Sequence, residues 1–242
     1  MTKVDVPPAT ELADAVRQSA RSGAPDRYLA ALLAPRANRT DLVTLAAFSA
    51  EIEKIAGQVH EPSLGEIRLQ WWRDALDPAQ HGDKTGHPVA DALIDLIARH
   101  GLASATFDGY FDAHSHRLYG SAPESEQALS LEIDLIEGTL FSVAAQILSR
   151  EPPARHGSLI SDAAQAYGAA RLGLDLPYAL SRGRIPLPTS VLKPPKNPDW
   201  RVAMDALIGK SRAHLAHVRS AYSSSPRALK TALLPAALVE PY

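Results

Sequence analysis

From Leu129 to Ile147 apolar residues recur at 129, 133, 136, 140, 143 and 147, three or four apart. That spacing places them on one face of an α-helix and on alternating, incompatible faces of a strand. Elsewhere Ala and Leu recur at the same spacings, β-branched and aromatic residues are sparse, and alternation with a period of two is hard to find. The fold class expected is therefore all-α. Helices are expected to begin near Thr10, Asp26, Asn38, Ser63, Pro88, Ala103, Pro123, Ser158, Asn197 and Pro226. Ser63-Leu-Gly-Glu66 has the form of a capping box, and Pro88 and Pro226 suit a first helical turn, where a missing amide proton costs nothing. Residues 82–86 and 187–198 read as loops, the second broken by Pro188, Pro194, Pro195 and Pro198.

At 242 residues with 45% hydrophobic and 21% charged side chains, the chain can bury one sizeable core, and no shift of composition marks a second domain. A leading segment over 1–24 and one domain over 25–242 are expected. A net charge of −2 offers no general attraction for nucleic acid. The absence of cysteine excludes disulfides, thiolate metal centres and thiol catalysis. No apolar run approaches the ~20 residues of a membrane span, and the first residues have the character of neither a signal peptide nor a mitochondrial presequence. A bacterial, cytoplasmic protein is expected, with peripheral contact at the inner membrane left open.

Two segments carry the candidate chemistry. The first runs from Leu45 to Gly57 and on through Glu61-Pro-Ser-Leu-Gly-Glu-Ile-Arg-Leu-Gln-Trp-Trp-Arg-Asp-Ala-Leu76; the second runs from Ala166 through Leu-Gly-Leu-Asp-Leu-Pro-Tyr to Gly183-Arg-Ile-Pro-Leu-Pro188. Together with Asp26-Arg-Tyr-Leu29 and His87-Pro-Val-Ala90 they resemble the squalene and phytoene synthase family. Its members join two prenyl diphosphates head to head with magnesium held between two aspartate-rich helices. The resemblance implies a single helical bundle of the terpenoid synthase type around a central cavity, with the two motif segments facing across it. It also places the end at Glu240-Pro-Tyr242 short of family members that continue into further helix.

Set against the family's motifs, the carboxylates are thinned. The first motif has the form Asp-Asp-x-x-Asp, with its outer acids four apart on one helix face. With Phe48 on the aromatic that precedes it, the motif falls on Glu53-Lys-Ile-Ala-Gly57. Glu replaces the first aspartate, Lys54 puts a positive charge at the second, and Gly57 ends the motif without a side chain. Glu51 does not repair it, because its neighbour four residues on is Ile55. The second motif, two aspartates four apart, keeps Asp175 and has Ala179 in place of its partner; Pro177 between them is expected to kink or stop the helix. Glu53 and Asp175 are therefore the candidate catalytic and metal-binding acids. Glu51, Glu53 and Lys54 also read as a solvated helix face, and Asp175 with Arg171 as a helix-face ion pair.

Arg68, Arg73, Arg171, Arg182 and Arg184, with Tyr178, come from segments that the family places around its cavity. They are the candidate substrate-binding residues, suited to phosphate oxygens. Arg68 and Arg73 could equally pair with Glu66 and Asp74 on the surface. Trp71 and Trp72 point in different directions, so at least one belongs to a core. The rings of His114 and His116 splay apart; His214 and His217 share a face but show no third ligand by spacing.

The resemblance is strongest to the branch of the family associated with assembly of respiratory complex I, whose aspartate motifs have decayed. The function expected is a pseudoenzyme of the prenyltransferase-like kind that acts in complex I assembly or binds an isoprenoid diphosphate or anionic lipid, with no cofactor. The alternative is an active prenyltransferase using magnesium and an unconventional acid set of Glu51, Glu53, Asp134, Glu137 and Asp175.

Overall fold

The structure is a computed structural model that describes residues 9–59, 61–77, 84–150, 156–188, 190, 192 and 199–239. The described residues are helical, with irregular connections and no strand. They divide into two compact units, Met1–Phe111 and Asp112–Tyr242.

The first unit holds α1 (Ala9–Gly23), α2 (Pro25–Leu33), α3 (Arg36–Gln58), α4 (Pro62–Leu76), α5 (Pro88–His100) and a short 3-10 turn (Ser104–Phe107). The unit boundary falls within α6 (Asp108–Leu118). Phe48 of α3 is fully buried and sets the centre of the core. Its ring lies 5.5 Å from Trp72, 5.3 Å from Phe107 and Tyr110 and 5.9 Å from Phe111, mostly edge to face. Such aromatic pairs add about 0.5–1.5 kcal/mol each beyond the area they bury. Anchoring Phe48 inward fixes the rotation of α3, and hence which of its last two turns reach solvent. Gly23 lets α1 approach α3 closely, since a Cβ there would sit 2.5 Å from Ala50 Cβ.

The second unit holds α7 (Glu126–Ile133), a π-helical turn (Asp134–Gly138), α8 (Thr139–Ser149), α9 (Gly157–Ser181), α10 (Trp200–Tyr222), α11 (Arg227–Ala232) and α12 (Leu234–Ala237). All six residues of the apolar stripe are buried, as its period requires. Each such side chain contributes about 1.5–3 kcal/mol on leaving water. The stripe survives the π turn because α7, the turn and α8 run on without a break. Against that turn lies Gly168 of α9, where a Cβ would stand 2.6 Å from Ile133 Cγ2.

Most expected helix starts lie within three residues of the observed ones. The capping box is a correction: α4 starts at Pro62 with Glu61 as an N-cap that makes no side-chain bond. Proline at N1 starts the helix before Ser63 can occupy the cap, so the Ser63 hydroxyl sits inside the first turn. Pro226 is likewise the N-cap of α11 rather than its first residue. The stretch expected to start at Ala103 begins as the 3-10 turn. The start at Asn197, residues 82 and 83, most of the loop over 187–198, and Glu240-Pro-Tyr242 lie outside the described residues.

Candidate functional site

In the first unit the site is built on the last two turns of α3. Glu51 is half-buried and not solvated as a simple helix face would be. It accepts a short hydrogen bond from Ser19 Oγ of α1 and another from Lys54 Nζ at 2.8 Å. Burial pushes its pKa up, but the bonds from Lys54 and Ser19 and the charges of Lys54 and His87 outweigh that and hold it below the ordinary value. Lys54, which the sequence places where a cation would sit, is thus spent on a neighbouring carboxylate three residues back. Glu53 is half-buried and engaged within its surroundings. At Gly57 a Cβ would meet nothing within 4 Å, so the motif's last position borders open space with no side chain in it.

The arginines of α4 follow from the same helix geometry. Leu69 and Trp72 turn inward and are buried, which leaves Arg68 exposed, its Nη1 donating to Gln58 Oε1 at 3.3 Å. Arg73 is half-buried, with its guanidinium 5.2 Å from the centre of the Phe111 ring. Trp71 is exposed and Trp72 buried. His87 packs against both, at 5.5 and 5.2 Å, while its Nδ1 accepts from Ala90 N–H to cap α5. Ser19 belongs to no sequence motif, and His87 entered only within the His87-Pro-Val-Ala90 stretch, not as a site residue. Ser19 carries no local signal, because its partner is 32 residues away; the His-Pro pair at 87–88 is the N-cap signature that could have marked His87.

In the second unit the site lies on the C-terminal half of α9. Asp175 is exposed and makes no hydrogen bond or ion pair with any described residue. The expected pairing with Arg171 is therefore not made: Arg171 lies over the Tyr167 ring at 5.7 Å, and its charge reaches the buried His114. The helix does not stop at Pro177 but continues to Ser181. So near the C-terminus proline removes a single backbone bond, and only one turn lies beyond it.

The end of α9 explains the Arg-Gly-Arg run. Gly183 has φ +69°, its N–H donates to Leu180 O at 2.9 Å, and Arg184 N–H donates to Ala179 O at 2.9 Å. This is a Schellman cap, and only glycine adopts that backbone readily. Arg182 stacks on the half-exposed Tyr178 ring at 5.0 Å, and Arg184 packs its stem over Gly120. The structure thus joins Arg182 to Tyr178, and Arg171 to Tyr167, as separate stacked pairs.

The acids of the alternative set are also engaged. Asp134, in the π turn, accepts from Ser161 Oγ at 3.0 Å and from Gln165 Nε2 at 3.0 Å, and Glu137 is buried. Beside α9, a cavity of about 660 Å³ is lined by Gly173, Leu174, Met204, Leu207, Arg212 and Arg219 among others. Arg171, Arg182 and Arg184 are not among its lining residues. The histidine pair is a further correction. His214 and His217 do share a face of α10, and the third group that spacing could not reveal is Asp162 of α9.

Complex I assembly factor 6 of NADH dehydrogenase (ubiquinone) from Bos taurus is 26% identical over 227 residues, covering 89% of this chain and 68% of that protein. The Homo sapiens protein of the same name is 23% identical over 211 residues, 82% of this chain and 63% of its own length. The bifunctional protein CrtB/UppS of Streptomyces coelicolor is 28% identical over 176 residues, 72% of this chain and 31% of that one. Squalene synthase HpnC from Alicyclobacillus acidocaldarius has the same fold, with a TM-score of 0.73 at 16% identity, covering 97% of this chain and 93% of that chain. The model of the squalene/phytoene synthase family matches residues 20–242, nearly the whole chain, and the chain belongs to that family.

Proposed function

We propose that this chain is a non-catalytic member of the family that acts in the assembly of respiratory complex I. The observation that carries the reading is the state of the two acid motifs. Gly57 borders open space where the family has a carboxylate, Ala179 replaces another, and Glu51 is already held by Lys54 and Ser19. Magnesium takes near-octahedral oxygen coordination and bridges a diphosphate through several carboxylates. One remaining acid per motif does not fit that cluster. Without it, departure of an allylic diphosphate loses the electrostatic term that dominates such ionisations. The names of the assembly-factor relatives support the choice of process.

The ligand such a protein retains is anionic and amphipathic, an isoprenoid diphosphate or a lipid. An apolar cavity with Arg212 and Arg219 in its wall supports this, since hydrocarbon and anionic head are then matched in one place. The test is genetic complementation. In a strain deleted for the gene, a Glu53→Gln, Asp175→Asn double variant should restore assembled complex I, read on native gels, as fully as the unaltered chain does. Failure of the double variant alone would return the protein to the prenyltransferases. Failure of both would remove it from complex I assembly.

A further inference from the structure

α9 and α10 pack together in the second unit, and one buried bond fixes their register: Ser211 Oγ donates to the carbonyl of Ala166 at 2.7 Å. One turn earlier on α9 is Asp162, and about one turn later on α10 is His214, so antiparallel packing brings them level. Asp162 Oδ1 stands 2.8 Å from His214 Nδ1 and 3.5 Å from His217 Nδ1. Ligand atoms of all three residues lie within 4.8 Å of one another. The carboxylate oxygen thus faces two imidazole nitrogens supplied by a single helix turn, the rings set at 84° to each other.

We propose that Asp162, His214 and His217 form a binding site for a zinc-class divalent transition ion, clasping α9 to α10. Two imidazole nitrogens and one carboxylate oxygen suit zinc, cobalt, nickel or copper, whereas magnesium takes oxygen ligands. Tetrahedral bonds of about 2.0–2.2 Å set ligand atoms roughly 3.3 Å apart. An ion would therefore replace the 2.8 Å Asp162–His214 hydrogen bond with a slightly wider separation while the His217 imidazole turns in towards it. The His217 side chain, 71% exposed, has room to make that rotation. Asp162 and His214 are held on the packed faces of their helices, at 25% and 30% exposure, and need move little. Three protein ligands leave at least one position for solvent or an exogenous ligand. The site is distinct from the decayed motif on the same helix, since Asp175 lies thirteen residues further on, roughly 20 Å along the axis.

The test uses the full chain stripped with EDTA and titrated with zinc in competition with a chromophoric chelator. Cobalt absorption reports the ligand set independently. One equivalent of zinc should bind and raise the melting temperature, with no competition from excess magnesium. His217→Ala, at an exposed position, and Asp162→Asn, which keeps the side-chain shape, should each weaken binding at least tenfold, a loss of about 1.4 kcal/mol or more. Both should cut the metal-induced rise in melting temperature at the same zinc concentration, and His217→Ala, at the exposed position, should leave the metal-free melt in place. Zinc binding of unchanged affinity in His217→Ala would assign the metal to other histidines of the nine and overturn the proposal. So would the absence of any bound equivalent in the unaltered chain.

Discussion

His114 sits wholly inside the second unit, and burial, reinforced by the charges of Arg117 and Arg171, holds its pKa well below 6.5. The folded chain therefore keeps this imidazole neutral at pH values where the unfolded chain protonates it. Its contribution to stability is complete above about pH 6.5 and is lost on acidification, by at most about 1.4 kcal/mol per pH unit. The midpoint of urea unfolding should accordingly fall between about pH 7 and about pH 5, and fall less steeply in a His114→Leu variant. Equal slopes in the two proteins would show that His114 titrates the same way folded and unfolded. Residue-scale features of this kind were hard to read from the sequence. The missing acids at Gly57 and Ala179 are written in the chain itself. The burial of His114, the grip of Ser19 on Glu51 and the approach of Asp162 to His214 all depend on partners 30 or more residues away, or on packing that local spacing does not encode.

Among the elements, α9 comes close to Ile133 of α7 and to the π turn at Gly168. In an exposed helix, Gly→Ala gains about 0.5–1 kcal/mol of backbone entropy. At Gly168 the new Cβ would fall 2.6 Å from the γ-methyl of Ile133 and 3.3 Å from Glu137 Cγ, both in buried residues. Ile133 is β-branched and stiff at χ1, so it cannot swing aside, and overpacking of about 1–3 kcal/mol outweighs the gain. Gly209 on the exposed face of α10 meets nothing within 4 Å. Gly168→Ala should lower the urea midpoint while Gly209→Ala raises it, and a matching rise in both would show that α9 and the π turn have slack. The elements themselves were largely legible, because a period of 3.6 in the apolar residues dictates helix over nearly every segment. What spacing could not resolve was local competition at helix ends. Pro62 displaced the Ser63 capping box, and the π turn at Asp134 left the apolar stripe unbroken.

For the whole molecule, family and helical architecture follow from one sequence signal read two ways, as periodicity and as motif. The motif residues were named from sequence, but what they touch was not. Arg171 and Arg182 turn out to stack on tyrosines, and a pair of arginines from α10, Arg212 and Arg219, lines the apolar cavity instead. Among the described residues no helix is long and apolar enough to cross a membrane, so no described helix anchors the chain by spanning a bilayer. On the proposed function, a prenyl synthase fold persists here without its leaving-group chemistry. Pyrophosphate release from farnesyl diphosphate in excess magnesium measures that most directly. The unaltered chain should release none above the enzyme-free rate, since one carboxylate per motif leaves the departing charge unstabilised. Magnesium-dependent release that disappears in Asp175→Asn would contradict it.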